Sequence, residues 1–249
     1  MFTSIIVVVI YLSITLQGYD EAKIEAIELR GCFHLSEDQY FKSSNLEDKE
    51  SYSDLTLRII KDRIEKHPYV ENAEVQFESN GKVIVDITEK KFEAILLIGE
   101  KQYLLSENLE VLPLMLYTRS LDYPLIRNPK LDGEIRVSEF LTAENQPDLI
   151  LADKIISTIR LVNSGLYEVL SEIDLNNGEG INAYFSTMSY ELRIGQKDVI
   201  KKIISYNAWR EKYKQQRFDE ILNYVDLRYD NHIFIGFPEN ALESWDDQS

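Results

Sequence analysis

The chain has 249 residues, 44% hydrophobic and 28% charged, which is enough apolar material for one large or two small folded domains and excludes a wholly disordered chain. Asp and Glu total 43 against 27 Lys and Arg, a net charge of −16, and so acidic a surface repels phosphate backbones and offers no basic face to anionic lipid. One cysteine, Cys32, and three histidines, His34, His67 and His232, exclude an intramolecular disulfide and a multi-cysteine zinc site.

From Met1 to Tyr19 no residue is charged, and Ile5 to Leu12 is almost continuously apolar. At ~1.5 Å per residue a helix here reaches nearly the ~30 Å of a bilayer core, so residues 1–22 are expected to be a transmembrane anchor. A cleaved signal peptide would bring a basic start and a small-residue cleavage site, and neither stands here. A buried core element is the other alternative. Orientation does not follow from charge, because the first basic residue, Lys23, sits beside Asp20, Glu21 and Glu25.

Residues 23–91 read as a small α+β unit. Ile24 to Leu29 suits a strand ended by Arg30-Gly31, and Ser36 caps a short helix with Glu37 and Asp38 in its first turn. A longer helix, capped by Ser53 or Asp54, carries Leu55, Ile59, Ile60 and Ile64 on one side and stops at His67-Pro68. Ala73, Val75 and Phe77 then alternate with polar residues, as do Val83, Val85 and Ile87, around Asn80-Gly81, which suits a type I′ turn with positive φ at both positions. The order strand, helix, helix, strand, strand places both helices on one sheet face.

Three segments of this unit, Ile27-Glu28-Leu29-Arg30-Gly31 followed by Leu35-Ser36, Ile64-Glu65-Lys66-His67-Pro68-Tyr69-Val70-Glu71-Asn72-Ala73-Glu74-Val75, and Val83-Ile84-Val85-Asp86-Ile87-Thr88-Glu89-Lys90, resemble the opening, the helix-to-strand step and the closing strand of a POTRA domain. That resemblance implies a protein-docking module. Two departures stand out: the hairpin turn is Ser79-Asn80-Gly81-Lys82 without the usual proline, and Phe92 stands where another proline is common.

Residues 92–238 read as a larger mixed α+β domain. Ala94–Ile98 and Gln102–Leu105 form a hairpin about Gly99-Glu100-Lys101, followed by Leu109–Leu112 and Tyr123–Arg127. Residues 128–147 are turn-rich and acidic, an expected mobile loop. A helix over 149–163, strands near 167–174, 182–186 and 190–194, a helix over 199–214, and strands 224–229 and 233–237 about Asp230-Asn231 complete it. Residues 239–249 are a polar, acidic tail.

Val225-Asp226-Leu227-Arg228-Tyr229-Asp230, Leu192-Arg193-Ile194-Gly195 and the stretch from Leu104 to Pro113 resemble, in order, segments of the C-terminal β domain of the FtsQ/DivIB cell-division family, although Ser106 and Leu109 replace the usual Asp and Gly. The resemblance implies a mostly antiparallel sheet, a single-pass protein of the cytoplasmic (inner) membrane with its domains outside the cytoplasm and enriched at the septum, and partners such as FtsB and FtsL. It further implies that an edge strand near the end of the domain pairs with a partner strand. The positions carried over are Tyr229 and Phe237 as aromatic anchors, Gly236 for close backbone approach, and Asp230, Asn231, Ile233 and Ile235. The alternative is that Ile233, Ile235 and Phe237 fill the core, and Arg228 is expected to make a structural ion pair.

No residue set points to catalysis. Carboxylate neighbours such as Asp153 and Glu144, or Asp219 and Glu220, arise readily in so acidic a chain, and there is no nucleophile-elbow, zinc-protease or phosphate-loop pattern. No metal, cofactor, small-molecule ligand or nucleic acid is expected. A POTRA-bearing transport component would bring several repeats or a barrel, and an extracytoplasmic hydrolase would show a buried carboxylate pair in a deep cleft. A lipoprotein would need an N-terminal cysteine, and Cys32 lies well inside the chain.

Overall fold

The computed structural model describes residues 23–131, 141–142, 146–216 and 218–238. The expected anchor over 1–22, the tail over 239–249, and residues 132–140 and 143–145 of the expected loop lie outside the described residues. Among the described residues no helix is long and apolar enough to cross a membrane. The described residues form two compact units: those from Lys23 to Lys90 together with Tyr117–Ser120, and those of Lys91–Leu116 together with the described residues from Leu121 to Pro238.

In the first unit, β1 (Ala26–Arg30), α1 (Glu37–Ser43), α2 (Leu57–Glu65), β2 (Val70–Phe77) and β3 (Lys82–Glu89) follow in order. The sheet order is β1-β3-β2, with β1 parallel and β2 antiparallel to the central strand. A strand that returns parallel needs a crossover, and the two helices supply it. Ser36 begins α1 with a capping box in which Gln39 reaches back to the Ser36 amide at 2.8 Å. The cap of α2 is Thr56, whose hydroxyl accepts from the Ile59 amide at 3.3 Å, not Ser53 or Asp54 as the sequence suggests. Residues Lys49–Asp54 form a separate 3₁₀ turn that buries Tyr52, whose hydroxyl donates to the Leu46 carbonyl at 2.7 Å; the chain then extends through Leu55 and the helix starts afresh.

The hairpin turn has positive φ at Asn80 (66°) and Gly81 (73°), as expected, but it spans three residues because Glu78 donates to the Lys82 carbonyl at 2.7 Å. At the far end of β3, the Glu89 carboxylate is buried and accepts from the Phe33 amide (2.9 Å), the His34 amide (2.9 Å), the Tyr40 hydroxyl (2.7 Å) and the His34 ring at 2.5 Å. Burial alone would raise its pKa, yet these bonds from His34, Tyr40 and Phe33 hold it below the usual carboxylate range. One acid on the closing strand thus pins the loop between β1 and α1. His67 is also buried: its Nδ1 accepts from the Tyr69 amide at 3.1 Å, and burial pushes its pKa down to about 4.

The second unit contains β4 (Phe92–Ile98), β5 (Lys101–Ser106), β6 (Glu110–Pro113), β7 (Leu125–Arg127), β8 (Leu141–Thr142), α3 (Pro147–Val162), α4 (Ser164–Glu168), β9 (Leu170–Asp174), β10 (Asn182–Phe185), β11 (Glu191–Arg193), α5 (Val199–Lys212), α6 (Phe218–Ile221), β12 (Tyr224–Asp226) and β13 (Phe234–Gly236). The order β13-β12-β11-β10-β9-β7-β4-β5-β6-β8 makes one mixed sheet, antiparallel except for the pairs β4-β7, β7-β9 and β11-β12. The fold class is α+β throughout. Parallel partners again need crossovers: α3 and α4 lie between β7 and β9, and α5 and α6 between β11 and β12.

Side chains alternate across these strands, so one parity enters the core. Ala94, Leu96, Ile126, Ile173, Ala183, Leu192 and Val225 pack with Leu149, Ile155 and Ile159 of α3 and Val199, Ile203 and Tyr206 of α5. Two expectations change here. Residues 167 and 168, expected to open a strand, instead close the helix Ser164–Glu168, whose start is capped by the Asn163 side chain accepting from the Leu166 amide at 3.0 Å. At the turn before β6, Leu109 takes φ 58° where the family carries Gly; the Ser106 hydroxyl accepts from the Glu110 amide at 3.0 Å, and Leu109 packs against the core. Burying that side chain offsets the roughly 1–2 kcal/mol a left-handed residue costs.

Candidate partner-binding edge

The ribbon at one end of the large sheet is built from β12 and β13. Val225 drives it inward, and Tyr224 and Asp226 therefore face the other way. The expected strand over 224–229 ends early. Asp226 accepts from the Arg228 amide at 2.9 Å and pairs with its guanidinium at 2.6 Å, which bends the chain after β12. Burial would raise the Asp226 pKa, but the Arg228 bonds lower it. The ion pair expected of Arg228 is thereby met within its own turn.

Tyr229, Asp230 and Asn231 consequently lie in a loop and are exposed. Asn231 has φ 59°, and its side-chain oxygen accepts from Lys201 at 3.0 Å. His232 Nδ1 lies 2.8 Å from the Asp230 carbonyl, an acceptor, so that nitrogen carries the ring proton. Between this loop and the first turns of α5 lies a cleft of ≈ 320 Å³ lined by Lys201, Lys202, Tyr229 and His232 among others.

On β13 the alternation separates the expected residues into two sets. Ile233, Ile235 and Phe237 are partly buried against the core, the alternative allowed by the sequence. Phe234 points outward, 49% exposed, and meets the 58% exposed Tyr229 edge-on at 5.0 Å between centroids, with His232 stacked on it at 6.0 Å. Phe234 and His232 were missed in the sequence because the apolar run Ile233–Phe237 reads as uniformly buried until the pairing register is known. That register sets Phe234 opposite Asp226 and Gly236 opposite Tyr224.

Gly236 has a role within the chain itself. A Cβ there would lie 2.2 Å from the Tyr224 ring, so the space above the glycine is filled by this chain's own aromatic side chain. The Arg193 guanidinium covers that ring at 4.3 Å and is held by Glu191 at 2.5 Å. Among the described residues β13 has one neighbour, β12, so one row of its main-chain groups is left without a strand partner.

A buried carboxylate does occur elsewhere. Glu93 is 3% exposed, and its pKa is pushed up to about 8 by burial and by a hydrogen bond with Asp153, against the opposing charge of Arg160 at 2.8 Å. Arg160 also reaches Glu107 at 3.5 Å and lies over the Tyr167 ring at 4.6 Å. These contacts give the group a structural role in joining α3 to β4. Among the described residues no cluster of three or more His, Cys, Asp or Glu could hold a metal ion.

Residues 22–90 match the family described as POTRA domain, FtsQ-type. The cell division protein FtsQ of Geotalea daltonii is 23% identical over 214 residues, covering 86% of this chain and 75% of that one. A solved structure, the major extracytoplasmic domain of the trans isomer of the bacterial cell division protein DivIB from Geobacillus stearothermophilus, matches at 14% identity over 51% of this chain and 97% of that one, with a TM-score of 0.30. The first unit is therefore of the POTRA class. The family match over the first unit and the FtsQ relative over most of the chain make it similar to the FtsQ-type cell-division proteins.

Proposed function

We propose that this chain is a non-enzymatic scaffold of the division machinery, anchored in the cytoplasmic membrane by residues 1–22, with the POTRA-type unit (23–91) and the β domain (92–238) outside the cytoplasm. Its β13 edge takes a strand from an FtsB- or FtsL-like partner, and this capture helps regulate septal cell-wall synthesis. The observation that carries the reading is an edge strand with an outward aromatic pair, Tyr229 and Phe234, beside it. The short edge sets the direction and register of an incoming strand, while exposed aromatics supply the affinity as anchors worth ~2 kcal/mol or more when buried by a partner.

Tyr229→Ala and Phe234→Lys should each weaken partner capture by about tenfold or more while leaving the melting temperature unchanged, since both side chains are exposed. Phe237→Ala, by contrast, removes partly buried volume and should lower stability as well. Crosslinking pull-down with a fluorescent fusion tests both halves of the reading. Uniform envelope fluorescence, or full capture by Phe234→Lys, would sink it.

A further inference from the structure

Gly236 closes β13, a strand of three residues with a single neighbour, β12, among the described residues. So short a ribbon is marginal by itself, and glycine weakens it further by offering no side chain to pack. On the inward face Ile233, Ile235 and Phe237 hold it to the core. On the open face the cover comes from β12, since Cε1 and Cζ of the Tyr224 ring fill the space that a Cβ at Gly236 would take. Arg193 lies over that ring at 4.3 Å, Glu191 holds the guanidinium at 2.5 Å, and the Tyr184 hydroxyl donates to Glu191 at 3.1 Å. One row of side chains thus runs across β10, β11 and β12 to the free border of the sheet. We propose that Arg193 and Tyr224 are positioning residues for β13, holding it in register so that its edge is formed before a partner strand arrives.

This role rests on the reading of β13 as a capture edge, and it divides order and contact between different aromatic residues. Tyr229 and Phe234 meet each other and stand exposed, open to an incoming strand. Tyr224 instead covers Gly236, and Arg193 lies on β11, two strands in from the border. A cation over an aromatic face gains strength where water is partly excluded, and the Arg193 side chain is only 32% exposed. An edge already in order also spares the partner the cost of ordering it. That cost otherwise lowers apparent affinity by the fraction of chains ready to bind.

The test uses the full chain with Arg193→Ala and Arg193→Lys, read by amide hydrogen exchange and by binding kinetics. The probe is the extracytoplasmic segment of the FtsB-like protein from the same organism. In the free chain, the β13 amides that bond β12 should exchange about fivefold faster in Arg193→Ala, the loss expected of one cation–π contact. Arg193→Lys keeps the charge and should fall between, while β9, four strands in from the border, should exchange as in the parent. With the probe, association should slow about twofold or more and dissociation should stay unchanged, because a positioning group alters the fraction ready to bind and not the contacts made. Equal β13 exchange in the parent and Arg193→Ala would overturn the proposal, as would an effect confined to dissociation. A parent chain that ignores the probe would overturn the capture reading and this role with it, whereas a parent that binds no better than Arg193→Ala would overturn this role alone.

Discussion

Gly236 shows how a single missing side chain orders an edge. Its hydrogen leaves room for the Tyr224 ring, which in turn is clamped by Arg193. Gly236→Ala should therefore cost about 1–3 kcal/mol by overpacking, and adding Tyr224→Ala should recover much of that loss; a thermal-unfolding double-mutant cycle measures the coupling. Glu89 acts on the same scale in the other unit. Glu89→Gln keeps the shape but turns one acceptor into a donor facing the Phe33 and His34 amides and Tyr40, so about 2–3 kcal/mol should be lost. Because the folded-state pKa is lowered, the contribution of Glu89 is present above the ordinary carboxylate range and disappears as pH falls through the folded value. Thermal melts of the parent chain against Glu89→Gln should converge at strongly acid pH.

Among elements, α3 is the one whose stability should depend on pH in the opposite sense. Glu93 on β4 is held above its ordinary value of 4.5, to about 8, so the folded chain binds a proton there that the unfolded chain has released. Its contribution is complete below pH ~4.5 and is lost as pH rises through about 8, on the order of a few kcal/mol. Glu93→Gln should flatten the fall in melting temperature between pH 6 and pH 9; an unchanged slope would locate the titrating group elsewhere. The sequence showed many carboxylates but not this one, because nothing local distinguishes Glu93 from its neighbours until β4 meets α3. Element types were easier to read than their ends. Apolar spacing revealed α2, α3 and α5, whereas the start of α2 at Thr56 depended on Tyr52 finding a buried acceptor, and the end of β12 depended on Asp226 folding back on Arg228.

For the whole molecule, the α+β class and the strand-helix-helix-strand-strand order of the first unit followed from periodicity and turn chemistry, which are local properties. The order of strands in the large sheet did not, since β7 sits between β4 and β9 through pairings that no neighbouring residues announce. The same holds for the division of β13 into an inward set, Ile233, Ile235 and Phe237, and an outward one led by Phe234.

The brevity of β13 also limits what the chain can do to itself. A strand of three residues offers a stray second copy only one or two backbone hydrogen bonds, each worth about 0.5–1.5 kcal/mol net. Bringing two molecules together costs several times that much. Runaway polymerisation through this border is therefore unfavourable, and concentrated solutions should remain free of cross-β fibres even though the rim of the sheet stays open.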